Sequence, residues 1–296
     1  GWDKSSGEIN TQEELDVDTT GILYITKPLR ERKSMNKEVD VIPLPLLKKQ
    51  AALFTDDIRR LLIYKDKLPR AVFIDYLRIL CGLHLTLYTM KVVYLLPKMI
   101  EAGTREVEDD WSMVVDVTDN LDSIVAPYAC KDIERMENSY GKYIRATYMI
   151  DIIQDRKSCS VDEALRILKE DNDKQGEYYE VKLKDIENNL PNSDEKEFDK
   201  NDFREMLEFF PENDYFDMFV HVLEKSNLGA SQYRYLREFI DAVSMKNSSS
   251  MLMADSRSKR HPRRGALGSK LLETMVQLLV LKEKPNGGYE TRSLSI

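Results

Sequence analysis

Ala71–Leu96 reads AVFIDYLRILCGLHLTLYTMKVVYLL, and it is the most apolar stretch of the chain. It is long enough to cross a bilayer. Asp75, Arg78, His84 and Lys91 interrupt it at intervals, however. Charges in hydrocarbon are expensive, so the stretch is read as a central helix buried in a protein core. Leu77, Leu80, Leu83 and Leu87 are expected to be buried on it. Pro69 opens the helix, and Pro97 is expected to end or kink it, because proline lacks the N–H the helix ladder needs.

Helical spacing extends outward in both directions. Leu46–Tyr64 carries Leu47, Ala51, Phe54, Ile58, Leu61 and Leu62 on one stripe. Before it, VIPLPLL (Val41–Leu47) is expected to be extended by its two prolines. GILYIT (Gly21–Thr26) is read as a strand or extended arm. After the central helix, Trp111–Val117 is a short β-like run. Asp122–Gln154 is read as one or two helices broken near Pro127 and Gly141. Ser160 and Glu163 form a capping-box pair that starts a helix over Val161–Lys169. Asp202–Phe210, Asn213–Ser226 and Ser231–Lys246 are further helices. A helix from about Leu267 to Lys282 follows, then a hairpin over Lys284–Ile296, where Asn286, Gly287 and Gly288 supply the positive φ values a tight turn needs. The fold class is therefore mainly α and multi-helical, with a few short strands near 21–26, 111–117 and 284–296.

Length suggests about two domains. The stretch 170–202 is rich in Asp and Glu and poor in apolar residues. It is read as an acidic linker or exposed excursion between a helical domain at 1–169, which carries the N-terminal arm, and a C-terminal module at 203–296. Hydrophobic residues make up 42% and charged residues 32%, enough for a core and for solubility. Only 12 glycines and 10 prolines fit long helices better than a turn-rich β fold. Cys81, Cys130 and Cys159 are an odd, scattered set, which reads as reduced thiols in a cytoplasmic protein. Residues 1–20 show no signal-peptide pattern. The chain begins at Gly1 and stops inside a β-like run, so it is expected to be a piece of a longer protein.

Against a net charge of −8, any basic surface must be local. One segment concentrates cations: Arg257, Lys259, Arg260, Arg263, Arg264 and Lys270, with His261 and no acid between Arg257 and Lys270. It runs into a helix that opens Gly265–Lys270, with Ser269 beside Lys270. A helix N-terminus favours anions, and arginine offers phosphate a bidentate fork. Arg257, Lys259, Arg260, Arg263, Arg264, Ser269 and Lys270 are therefore the candidate phosphate or nucleic-acid contacts. The plainer reading is a solvated loop, or one that pairs with the acidic stretch. Tyr233, Arg234, Tyr235 and Arg237 give the preceding helix a face that could stack on or grip nucleic acid, though an ordinary amphipathic helix looks the same.

The order helix, basic segment, helix, hairpin is also that of a winged helix. Leu271, Leu272, Met275, Val276, Leu278, Leu279 and Val280 make the last helix apolar almost all round, which suits a core better than a groove. Other motifs fail on spacing. Gly265, Gly268, Ser269 and Lys270 have two residues between the glycines and Ser before Lys, so they are no P-loop. Asp116 and Thr118 resemble the strand-end motif of haloacid-dehalogenase-type phosphatases, but Thr118 stands where the second Asp is required. Cys81 and His84 lie one helical turn apart with no further ligands for zinc. Like His221, they are read as satisfied core residues. No metal or cofactor is expected.

Two stretches carry a family resemblance: RHPRRGALGSKLLE (Arg260–Glu273) and LPRAVFIDYL (Leu68–Leu77). They resemble helical proteins of unassigned role in bacterial anti-phage and DNA-modification operons. The resemblance covers about a fifth of the chain and brings no catalytic residues. It implies membership of a multi-subunit assembly on DNA. The first expectation is a non-enzymatic helical subunit of such a complex, contacting a DNA or RNA backbone through 257–270, with other protein subunits as partners and no membrane. The alternatives are a protein–protein scaffold whose basic loop docks an acidic partner, and a hydrolase with an unrecognised carboxylate site.

Overall fold

The computed structural model describes residues 45–117, 122–170, 176–192, 198–245, 253–254, 263–284 and 289–291. The fold is mainly helical. In chain order come α1 (Lys48–Leu62), α2 (Arg70–Ala102), β1 (Val115–Asp116), α3 (Ala126–Glu137), α4 (Tyr140–Lys157), α5 (Val161–Glu170) and α6 (Glu177–Asn189). Then follow α7 (Lys200–Leu207), α8 (Tyr215–Lys225), α9 (Asn227–Ser244), β2 (Met253–Ala254), β3 (Arg264–Ala266), α10 (Ser269–Met275), β4 (Leu281–Glu283) and β5 (Tyr289–Thr291). The last turn of α10 widens into π-helix over Val276–Val280. The expected strand at 21–26 lies outside the described residues. Among the described residues, those from Leu46 onward form one compact unit.

The central helix is α2, and it is longer than its sequence suggests. It runs through Pro97 and ends at Gly103. The proline removes one backbone bond, but Leu95, Leu96 and Met99 on either side of it are buried and hold the helical path. Gly103 adopts φ +73°, a left-handed cap that glycine reaches without strain. Its N–H donates to the Met99 carbonyl at 2.8 Å. A side chain there would also strike Lys169 of α5, whose Cβ lies 2.6 Å from where a Cβ would stand.

Asp75 and Arg78 of α2 pair with each other at the surface, while His84 and Lys91 are engaged inside the protein. His84 meets Asp57 of α1 at 2.9 Å. Lys91 donates to Asp109 and to the Trp111 carbonyl. By length and composition α2 could cross a membrane, but half of its most apolar window is buried against other helices. Met90, Val93, Leu95 and Met99 pack with Ile133 and Met136 of α3, Ile144 and Ile153 of α4, Leu165 of α5, Phe216 of α8 and Ile240 of α9. Each such fully buried side chain contributes about 1.5–3 kcal/mol of burial.

That core draws on helices from both sides of the acidic stretch 170–202. Within the stretch, α6 places Tyr179 in the same cluster, fully buried and edge-on to Phe216 at 5.2 Å. The start of α7 is fixed by a capping box in which Asp199 accepts from the Asp202 N–H at 3.0 Å and Asp202 accepts in return at 3.1 Å.

The N-terminal half of α2 packs elsewhere. Tyr76 and Leu80 meet Leu61 of α1 and Leu278, while Ile79 and Leu83 meet Leu271. Leu77 and Leu87 are half-buried at the edges of these clusters. The Tyr76 hydroxyl donates to Gln277 at 2.6 Å. The C-terminal helix is thus docked on α2 by its apolar stripe, the role of a core helix. Beyond it, β4 and β5 form the antiparallel hairpin, with Glu283 opposite Tyr289. The first strand of that hairpin uses residues the sequence pattern assigns to the helix end.

Candidate nucleic-acid interface

The described part of the basic segment, residues 263–270, starts in a three-stranded sheet of order β1–β3–β2. The chain from Asp109 onward delivers β1. The Trp111 indole N–H donates to the Asp132 carbonyl at 3.1 Å, and the Val114 N–H donates to the Asp132 carboxylate at 2.9 Å. Just before it, Asp110 bonds Lys98 and is held by Arg135 at 2.8 Å. β3 then lies parallel to β1 and antiparallel to β2, with Gly265 opposite both Val115 and Met253. Glycine at 265 follows from the approach of β1. A Cβ there would stand 2.4 Å from the Val114 carbonyl oxygen.

This arrangement divides the candidate residues into three groups. Arg257, Lys259 and Arg260 lie outside the described residues, as does His261. They belong to the connection between Ala254 and Arg264, and those two residues face each other across the β2–β3 ladder.

Arg263 and Arg264, candidate phosphate contacts by sequence, are incorporated in the fold. The Arg263 fork closes on Asp241 of α9, with bonds of 2.5 and 2.7 Å, and also donates to Glu137 of α3 at 3.1 Å. Its side chain is only 16% exposed. Burial works against the Arg263 charge, but the bonds to Asp241 and Glu137 outweigh it and raise its pKa further. Arg264 is buried in the central strand, at 5% exposure, and its charge reaches the Cys130 thiol. Burial nevertheless dominates there and pushes that thiol up.

Ser269 and Lys270 form the third group. Both are exposed at the start of α10, one turn after the strand.

The aromatic and basic face of α9 lies beside this cluster. Tyr140, fully buried, is surrounded by Glu137, Asp241 and Arg263 and meets the Tyr233 ring edge-on at 6.0 Å. Burial, reinforced by the two carboxylates, raises the Tyr140 hydroxyl far above the usual tyrosine range, so it stays neutral. Arg234 and Arg237 are exposed.

Sequence reasoning missed Asp241 and Glu137, the carboxylates that seat Arg263. With 52 acids in the chain and separations of 22 and 126 residues, no local pattern marks them.

The remaining motif residues sit as structural groups. Asp116 is buried in β1, and Thr118 lies outside the described residues. The His84 ring lies tilted against Phe54 at 5.0 Å, and the His221 ring tilted against Phe210 at 5.2 Å. Burial lowers the His221 pKa ahead of the opposing pull of Glu224. Among the described residues no three His, Cys, Asp or Glu side chains gather as a metal site would require.

Comparison with known proteins agrees with the resemblance carried by Arg260–Glu273 and Leu68–Leu77. No curated protein and no solved structure matches the chain. The family model described as methylation-associated defense system protein MAD7 matches residues 1–296. Over its whole length, therefore, the chain belongs to the MAD7 family of methylation-associated defence system proteins.

Proposed function

We propose that this protein is a non-enzymatic component of its defence system, and that it engages DNA or RNA phosphates through Arg257, Lys259, Arg260 and Lys270, with Ser269 beside them. One observation carries the reading. In a chain of net charge −8, Arg257, Lys259 and Arg260 lie on the connection between two paired strands, whose ends Ala254 and Arg264 face each other across the ladder. Tethering a short connection at both ends limits the ordering entropy its residues lose on binding. Arg263 and Arg264 serve as the root. Arg263 is committed to Asp241 and Glu137, and Arg264 is buried in the strand. The family's association with methylation and defence supports a setting on nucleic acid.

Phosphate contacts of this kind give affinity without sequence preference. The test is a fluorescence titration of the full chain against duplex DNA, single-stranded DNA and RNA at low salt. Binding to at least one of them, indifferent to base sequence, is the expected result. A chain that ignores all three in the presence of its partner subunits would overturn the proposal. Loss of a protein partner on charge removal, with nucleic acid never bound, would favour the scaffold reading instead.

A further inference from the structure

A second candidate surface uses none of the residues from 257 to 270. Tyr143, Ile144 and Thr147 of α4 face Tyr235, Leu236 and Phe239 of α9 across an open groove of about 550 Å³. Tyr235 is 70% exposed and Phe239 40%, and their rings lie nearly parallel with centroids 6.3 Å apart. Large aromatic side chains grouped on a surface mark interaction sites more often than scattered ones do. The two threonine hydroxyls of the groove are bonded within their own helices. Thr147 donates to the Ile144 carbonyl at 2.7 Å, and Thr89, which closes one end, donates to Leu85 at 2.8 Å. The threonines therefore present their methyl groups.

The one charged residue lining the groove is Asp151. Asp155 stands one turn further along α4, and its charge acts on Asp151. Like charges at this spacing oppose each other on a helix. Neither carboxylate has an ion pair among the described residues. On α9, Arg234 and Arg237 fall by helical spacing away from the Tyr235 and Phe239 face, so they do not neutralise it.

We propose that this α4–α9 groove docks an amphipathic helix of a partner protein, with an apolar stripe over Tyr235 and Phe239 and a Lys or Arg meeting Asp151. The walls are two helices whose backbone groups are already bonded within themselves. They offer no sheet edge to an extended strand, so the occupant must satisfy its own backbone, as a helix does. Charge favours a basic occupant over a second copy of this chain, because two chains of net charge −8 repel. The proposal is independent of the nucleic-acid reading, since it uses none of the residues from 257 to 270.

The test is selection of a displayed library of random 16-residue peptides on the full chain. Enriched peptides should carry apolar residues at helical spacing with Lys or Arg alongside. Their affinity should fall at least tenfold on the Y235A/F239A variant, and three- to tenfold on Asp151→Asn. All three side chains are exposed, so melting temperatures should not change, and circular dichroism checks that control. No enrichment, enrichment of acidic or unpatterned peptides, or affinity unchanged on Y235A/F239A would overturn the proposal. So would a dimer in sedimentation that the same variant abolishes, because the groove would then belong to a second copy.

Discussion

Arg263 joins three helical and strand elements through one side chain. Its fork links Asp241 of α9 and Glu137 of α3 to the head of β3. Removing one partner of a largely buried pair leaves uncompensated charge, here two carboxylates. Arg263→Ala is therefore expected to destabilise the fold by about 2–3 kcal/mol, the partial exposure of Glu137 moderating the loss. A urea denaturation series measures it, and an unchanged midpoint would show that the triad contributes nothing. Gly265→Ala tests the neighbouring residue. Its Cβ would meet the Val114 carbonyl at 2.4 Å, so β1 and β3 must separate. A loss of about 2 kcal/mol is expected from such overpacking.

Asp110 provides a pH-dependent case. Its bond to Lys98, opposed by some desolvation and aided by Arg135, lowers its carboxyl from 3.8 to about 2. A depressed acid stabilises the fold above its unfolded value, and that contribution is lost as pH falls through the folded one. Chemical-shift titration of Asp110 should place its midpoint near 2, and Lys98→Met should move it back toward 3.8.

At the scale of elements, α2 carries the fold, and its sequence was readable because apolar residues at helical spacing have few other solutions. Leu80 is 1% exposed between α1 and the C-terminal helix. Leu80→Asp is expected to destabilise by about 3 kcal/mol or more, since a carboxylate there has no partner. A soluble variant with unchanged melting temperature would show that the helix is not core. What the pattern could not give was the end of α2. Local propensity stops a helix at Pro97, whereas burial of Leu96 and Met99 and the cap at Gly103 continue it. The basic segment was half readable for a related reason. Its charge is visible in the sequence, but whether an arginine faces solvent or a distant carboxylate depends on tertiary contacts. Arg263 and Arg264 resolve to the interior for that reason, through Asp241, Glu137 and a strand of only three residues. The α4–α9 groove was marked on one wall only, by Tyr235, because its two walls come from helices far apart in the chain.

For the whole molecule, a far-ultraviolet spectrum dominated by helix is expected. One dominated by β signal would contradict the architecture. The domain-scale reading depends on the acidic stretch. Isolated 203–296 would expose the faces of α8 and α9 that pack on α2 and α4, including Phe216, Val220 and Ile240. That fragment is expected to be less helical than the same residues within the full chain.

The central claim is that the cations of the β2–β3 connection meet phosphate. The most direct measurement is the salt dependence of nucleic-acid affinity for the full chain and for a variant with Arg257, Lys259 and Arg260 replaced by Ala. Each phosphate contact contributes roughly 0.7–0.9 to the log–log slope. The account predicts a variant that melts like the parent, binds any sequence more weakly, and has a slope flatter by roughly 2–3. Equal slopes for parent and variant would contradict it.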